Sequence, residues 1–219
     1  MSTFALIHGG GSSAWDWHLV ATGLQEAGHL AVPVDLPIED AGAGLEEYAR
    51  AVVDAVGILE DVIVVGHSLG GFTAPLAADA LQAEGLVYLA GMIPQPGETF
   101  EDWWANTGHD REAIDEDPDV SFFTGVPADL AREARNHERD QQGDWMSRPW
   151  PGARHPRIPT LAIVCRDDAF FPVSFMRRQV RERLWVEPVE IPGGHYAALS
   201  NPVDVTDALL RFAAEVEST

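Results

Sequence analysis

The chain has 219 residues, which suits one α/β domain and leaves no room for two full ones. A hydrophobic content of 46% supports a buried core, while 35 acidic against 14 basic residues give a formal net charge of −21. Every basic residue is arginine, which excludes a lysine Schiff base and a Walker P-loop, and the negative field opposes binding to nucleic acid or an anionic membrane surface.

In chain order, the apolar spacing predicts a strand over 4–7, a helix over 14–27, a strand over 30–34, a helix over 45–58, a strand over 62–65, a helix over 70–83 and a strand over 86–89. After an interruption the rhythm resumes with a strand over 161–165, a helix over 172–184, a strand over 186–191 and a helix over 203–217. Each helical stretch is long enough for a crossover, so the strands should lie parallel, giving an α/β fold with a mainly parallel sheet of about six strands and flanking helices. The core is then 1–93 and 156–219 within a single domain, and 94–155, with Pro94, Pro96 and acidic clusters, reads as a short lid insertion with one helix over 128–142. Trp103 and Trp104 stand in that insertion away from any periodic core face and are assigned to a substrate pocket. The first residues run straight into an apolar strand with no basic start and no long apolar stretch, which excludes a signal peptide and a membrane span and suggests the cytoplasm. Cys165 is the sole cysteine, expected in a core strand and unable to form an intrachain disulfide. Arg177, Arg178, Arg181 and Arg183 recur at helical spacing and read as the solvated face of a surface helix.

The sharpest chemical signal is Gly66, His67, Ser68, Leu69, Gly70 between a predicted strand and a predicted helix. This is the Gly-x-Ser-x-Gly turn that holds a serine hydroxyl out at the carboxyl end of a sheet, with glycine where side chains would clash. His8, Gly9, Gly10 and Gly11 follow the first strand, so backbone amides of Gly10 and Leu69 are the candidate donors to a tetrahedral oxyanion, with Gly9 beside them in the pocket. A serine nucleophile needs a histidine base and an orienting acid, in the chain order serine, acid, histidine. His109, His137 and His155 belong to the insertion or its exit, whereas His195 follows the last strand in a Gly-rich turn at the same sheet edge, so His195 is the base. Asp167 and Asp168 both end the preceding strand; Asp168, four residues before Pro172, is preferred, leaving Asp167 solvated or paired with Arg166. Tyr196, next to the histidine, is a further pocket candidate. No metal is expected: there is no His-Glu-x-x-His pattern, and the calcium-like run from Asp115 has Val120 and Val126 where the loop needs glycine and glutamate.

With these motifs on one chain, the sequence resembles the α/β-hydrolase superfamily, in the branch that holds plant methyl esterases and hydroxynitrile lyases. The resemblance rests on Leu6 to Gly10 followed by Ala14, Trp15, Asp16 and Trp17, on Gly66 to Gly71, on Ile163 to Asp168 with Pro172 and Phe175, and on Gly193 to Leu199. It implies a Ser68, His195, Asp168 triad, an oxyanion hole at Gly10 and Leu69, no cofactor, and a small-molecule ester as substrate. Relative to the full eight-stranded fold the chain begins at the third strand, so the first hairpin is expected to be missing. The lyases of the branch place a lysine directly after the histidine, where this chain has Tyr196, so the resemblance favours an esterase. A lactonase, a thioesterase, or a receptor that keeps the pocket without turnover are the alternatives.

Overall fold

The computed structural model describes residues 1–218. Six strands form one parallel sheet in the spatial order β2-β1-β3-β4-β5-β6: β1 (Thr3–Ile7), β2 (Leu30–Val34), β3 (Val62–His67), β4 (Gly85–Leu89), β5 (Thr160–Cys165) and β6 (Val189–Ile191). The helices are α1 (His18–Glu26), α2 (Leu45–Val56), α3 (Gly70–Leu81), α4 (Phe100–Thr107), α5 (Pro118–Ser121), α6 (Ala128–Asn136), α7 (Val173–Leu184), α8 (Ala197–Ser200) and α9 (Pro202–Glu217). Strand side chains alternate between faces, so the continuous apolar strands feed two cores. Phe4, Leu6, Ile63 and Val65 pack with α1, α8 and α9, while Ala5, Ile7, Val64 and Tyr88 pack with α2, α3 and α7. Cys165 belongs to the first of these layers and is buried.

The chain leaves β1 to one side to make β2 and then returns to the other side of β1 for β3, pairing Ile7 with Gly66. The loops after β1 and β3 therefore meet at the carboxyl edge where the strand order reverses, the place where open α/β sheets bind ligands. Among the described residues no helix is long and apolar enough to cross a membrane.

Four local expectations change. The helix expected over 14–27 opens as a 3-10 turn, Ala14–Trp17, before α1. The last strand is confined to Val189–Ile191, because Trp185 ends α7 in the left-handed conformation and Pro188 has no amide for the ladder. The segment between β4 and β5 holds a helix without the expected periodicity: α4 starts on reciprocal capping, with the Thr99 hydroxyl accepting from the Asp102 amide and the Asp102 carboxylate accepting from the Thr99 amide, both at 3.0 Å. Helix α6 stops at Asn136 instead of reaching 142, since the following backbone donates to other loops, Arg139 to the Gly11 carbonyl (2.9 Å) and Gln142 to the Ile38 carbonyl (2.7 Å).

The segment between β4 and β5 packs in two parts. Trp103, Trp104, Trp145 and Trp150 are buried in the main core, whereas Phe123, Ala131 and Ala134 form a small separate cluster with Leu199 beside the last histidine. The arginine face of α7 is also less solvated than its spacing suggested. The Arg183 side chain is 7% exposed, pairs with the buried Glu98 at 2.6 Å and donates to the Ile93 carbonyl, tying the segment after β4 to α7.

Candidate active site

Ser68 sits in the turn between β3 and α3 with φ at +50°, a strained value for a non-glycine residue that projects its hydroxyl from the sheet edge. The turn is tight enough that a Cβ at Gly66 would lie 2.7 Å from the Ala74 Cβ, and one at Gly70 would lie 2.6 Å from the His8 carbonyl oxygen. Glycine is required at both positions by close approach. The Ser68 carbonyl accepts from the Gly71 and Met92 amides, which anchors the turn from below.

The loops after β5 and β6 bring two further predicted residues to this hydroxyl. His195 Nε2 lies 2.8 Å from Ser68 Oγ, and His195 Nδ1 lies 2.9 Å from Asp168 Oδ2. The other oxygen of Asp168 accepts the Phe170 and Phe171 amides at 2.9 and 2.8 Å, so the carboxylate is held by three donors. With Nδ1–H donated to Asp168, Nε2 presents its lone pair to the serine. All three side chains are buried. Asp167 is exposed and does not pair with Arg166; its carboxylate accepts the Gly193 amide at 3.0 Å, and its own amide donates to the Gly193 carbonyl, so it clamps the loop that carries His195.

Two histidines that the motif reading left without a task support this line. His67 Nε2–H donates to the His195 carbonyl at 2.9 Å, and complete burial lowers its pKa to about 3, which keeps the ring neutral. His8 Nε2 accepts the Leu36 amide at 3.1 Å, which leaves Nδ1–H to donate to the Gly9 carbonyl at 2.7 Å; burial lowers this pKa to about 4. In a planar trans peptide the N–H points opposite to the C=O, so a Gly9 carbonyl held by His8 turns the Gly10 amide the other way. Neither the Gly10 nor the Leu69 amide donates to another part of the described chain. The two residues are close neighbours, since a Cβ on Gly10 would lie 2.9 Å from Leu69 Cδ2, and Gly9 lies against Ser68, its Cβ position being 3.2 Å from the Ser68 Cβ.

Aromatic rings wall the site. Phe122 and Phe170 lie 5.7 and 4.9 Å from the His195 ring. A cavity of about 570 Å³ opens beside the loop after β1, and Gly10, Gly11, Phe122, Phe123 and Tyr196 are among the residues that bound it. Tyr196 is stacked on Phe123 with centroids 4.9 Å apart. Trp103, expected in the pocket, lies instead in the core: it is fully buried and donates its indole N–H to the Ile93 carbonyl at 3.1 Å. Trp104 packs behind the site against Phe170 and Phe171 and does not bound this cavity. Among the described residues no group of three or more His, Cys, Asp or Glu side chains is placed to hold a metal ion.

The alpha/beta hydrolase family model matches residues 4–208. Among curated proteins, the chain is 27% identical to "Probable esterase PIR7A" of Oryza sativa subsp. indica, over 98% of this chain and 97% of that one. It is 26% identical to "Salicylic acid-binding protein 2" of Nicotiana tabacum, with 96% of each chain covered. Both alignments exceed the chain's own length, running over 257 and 250 positions against 219 residues, so this chain carries internal deletions relative to these proteins. Among solved structures, polyneuridine aldehyde esterase superposes with a TM-score of 0.84 at 21% identity, covering 97% of this chain and 99% of that one, which shows a shared fold.

Proposed function

The chain belongs to the alpha/beta hydrolase family, and from that premise we propose that it is a serine carboxylesterase for small to medium, uncharged esters. The observation that carries this reading is the continuous hydrogen-bonded line from Ser68 through His195 to Asp168 at the carboxyl edge of the sheet. Similarity to a protein named as an esterase over nearly the whole chain supports it.

In this reading Ser68 Oγ attacks the ester carbonyl carbon while its proton passes to His195 Nε2. The electron pair displaced onto the carbonyl oxygen is met by the Gly10 and Leu69 amides and by the N-terminal end of α3. Collapse of the intermediate expels the alcohol, which takes the proton from His195 and leaves an acyl-Ser68. Water, deprotonated by the same histidine, then releases the acid and restores the serine. Asp168 keeps His195 in the tautomer that accepts at Nε2, and His8 and His67 position the oxyanion loop and the histidine backbone.

The test is a panel of p-nitrophenyl esters, alkyl esters, lactones and thioesters, with Ser68→Ala as the blank. Serine-dependent turnover should be fastest on esters of short and medium acids. A lactone or thioester turned over faster than every ester would move the assignment to that class. Tight ligand binding with turnover under about 0.01 per second, far below the usual enzyme range, would make the protein a receptor.

A further inference from the structure

The peptide that holds Asp168 is itself gripped from its far side by a histidine of the segment between β4 and β5. His109 follows α4, which Gly108 ends in the left-handed conformation with φ at +63°. Its Nε2 lies 2.8 Å from the Phe170 carbonyl oxygen, and a carbonyl only accepts, so Nε2 carries the proton and donates. Among the described residues no other group donates to that carbonyl. The carbonyl of Phe170 and the amide of Phe171 belong to one peptide plane and point in opposite directions. That Phe171 amide donates to Asp168 Oδ1 at 2.8 Å, while Asp168 Oδ2 receives His195 Nδ1–H at 2.9 Å. The line of hydrogen bonds therefore runs from His109 through one peptide to Asp168, His195 and Ser68. Resting on the esterase reading, we propose that His109 is a positioning residue for the reaction, which aligns and polarises the Phe170–Phe171 peptide so that its amide keeps the Asp168 carboxylate in line with His195.

Hydrogen bonds in series strengthen one another, because each donated proton increases the dipole of the group that passes it on. Electron density drawn to the Phe170 oxygen by His109 makes the Phe171 N–H a better donor to the carboxylate. The surroundings of the ring supply no other polar task for it. It packs edge-on among Trp104 (5.2 Å), Phe171 (5.5 Å) and Phe175 (4.7 Å), a setting that a phenyl ring would suit, and its Nδ1 is buried with no hydrogen-bond partner. Burial lowers the His109 pKa, so Nδ1 stays bare and the ring makes one hydrogen bond, the one to Phe170. The end of α4 that delivers the ring is tied down in turn. The Thr107 carbonyl accepts from the side chains of Arg178 (2.9 Å) and Gln179 (3.4 Å) on α7, the helix that begins at Val173 just beyond the gripped peptide. Donor and peptide thus rest on the same helix.

Three variants of the full chain test this. His109→Phe keeps a ring and removes the donor, His109→Leu removes it with a smaller side chain should the phenyl ring prevent folding, and His109→Gln places an amide N–H near the position of Nε2–H. The variant without the donor, shown to be folded by thermal melting, should lose about 10-fold in kcat on p-nitrophenyl butanoate, less than the roughly 100-fold that a 1 Å misplacement can cost. His109→Gln should recover to within about threefold of the parent. In an Asp168→Asn background the loss of the donor should cost less than about twofold more, since the carboxylate it serves is gone. Proton NMR of His195 Nδ1–H reads the bond to Asp168 without any turnover: the resonance should move in His109→Phe and return toward the parent position in His109→Gln. A folded donor-free variant within threefold of the parent, a glutamine variant no better than the phenylalanine one, an undiminished loss in the Asp168→Asn background, or a His195 proton indifferent to position 109 would overturn the proposal. Absence of serine-dependent hydrolysis in the unmodified protein would instead defeat the esterase reading, and the resonance would still test the tie from His109 to Asp168.

Discussion

Replacing Asp168 by asparagine tests the orientation of the histidine with almost no change of shape. The side-chain oxygen that receives the Phe170 and Phe171 amides at 2.9 and 2.8 Å fixes how the new amide must sit. If its carbonyl stays toward those two donors, its NH2 group faces His195 Nδ1, which must become an acceptor. The ring proton then moves to Nε2, where it points at Ser68 and cannot take the serine proton. Flipping the amide restores the productive tautomer but opposes two buried N–H donors with an NH2 group, at about 1–3 kcal/mol for each lost partner. The total of about 2–6 kcal/mol corresponds to a loss in kcat between about 30-fold and 10⁴-fold. Asp167→Asn keeps a carbonyl oxygen for the Gly193 amide and should stay within about threefold of the parent. The assay is kcat on p-nitrophenyl butanoate, with thermal melting to show that both variants fold. An Asp168→Asn variant that keeps more than a tenth of the parent kcat, or an Asp167→Asn variant that loses more than it, would refute the reasoning.

Four further outcomes follow from the packing and the buried charges. A Cβ at Gly71 meets the Met92 backbone carbonyl, which cannot step aside, so Gly71→Ala should cost about 3 kcal/mol or more in urea unfolding; Gly10→Ala meets only the end of the Leu69 side chain and should melt within a few degrees of the parent. Removing one member of the buried Arg183–Glu98 pair, as in Arg183→Met, should cost about 3–5 kcal/mol in the same measurement, against under about 1 kcal/mol for Arg181→Ala in its exposed pair with Glu187. The buried Asp16 has its pKa raised from 3.8 to about 7, so the folded state binds the extra proton between those values and stability falls as pH rises through that window; Asp16→Asn should therefore gain in melting temperature over the parent as pH goes from 5 to 8. In that variant the opposite sign is exposed. His8 and His67, with pKa values lowered from 6.5 to about 4 and about 3, favour the unfolded state once it protonates, so stability should fall as pH drops below 6.5, by about 2 kcal/mol for each histidine at pH 5. A melting temperature that is flat from pH 8 to 5 in Asp16→Asn would contradict this.

Much of the candidate site was legible because the proposed chemistry imposes local sequence. The Ser68 turn needs glycine at 66 and 70, a serine nucleophile needs a histidine late in the chain, and the spacing of Asp168 from Pro172 favoured it over Asp167 as the candidate acid. The six strands were readable from β-rich apolar runs, since a parallel sheet is buried on both faces. What escaped depends on contacts between distant segments. Trp103 looked free of the core because the core it joins, with Phe171 and Phe175, is assembled from another part of the chain. Helix α4 did carry a local sign, the Thr99–Asp102 spacing of a capping box, but too little apolar periodicity to be seen by that route. The segment after Asn136 had helical composition, yet its amides pair with the Gly11 and Ile38 carbonyls instead. His8 and His67 lie inside motifs whose glycines and serine draw the eye, and their roles depend on carbonyls at Gly9 and His195 that no spacing rule connects.

The central claim, that Ser68 is the nucleophile, is tested most directly by covalent capture. Incubation with a fluorophosphonate should add one phosphonyl group per chain, located by mass spectrometry on the peptide containing Ser68, with hydrolysis of p-nitrophenyl butanoate lost in proportion. Ser68→Ala should take up no label and show no hydrolysis above the uncatalysed rate. An adduct on another residue, or undiminished turnover by Ser68→Ala, would contradict the account.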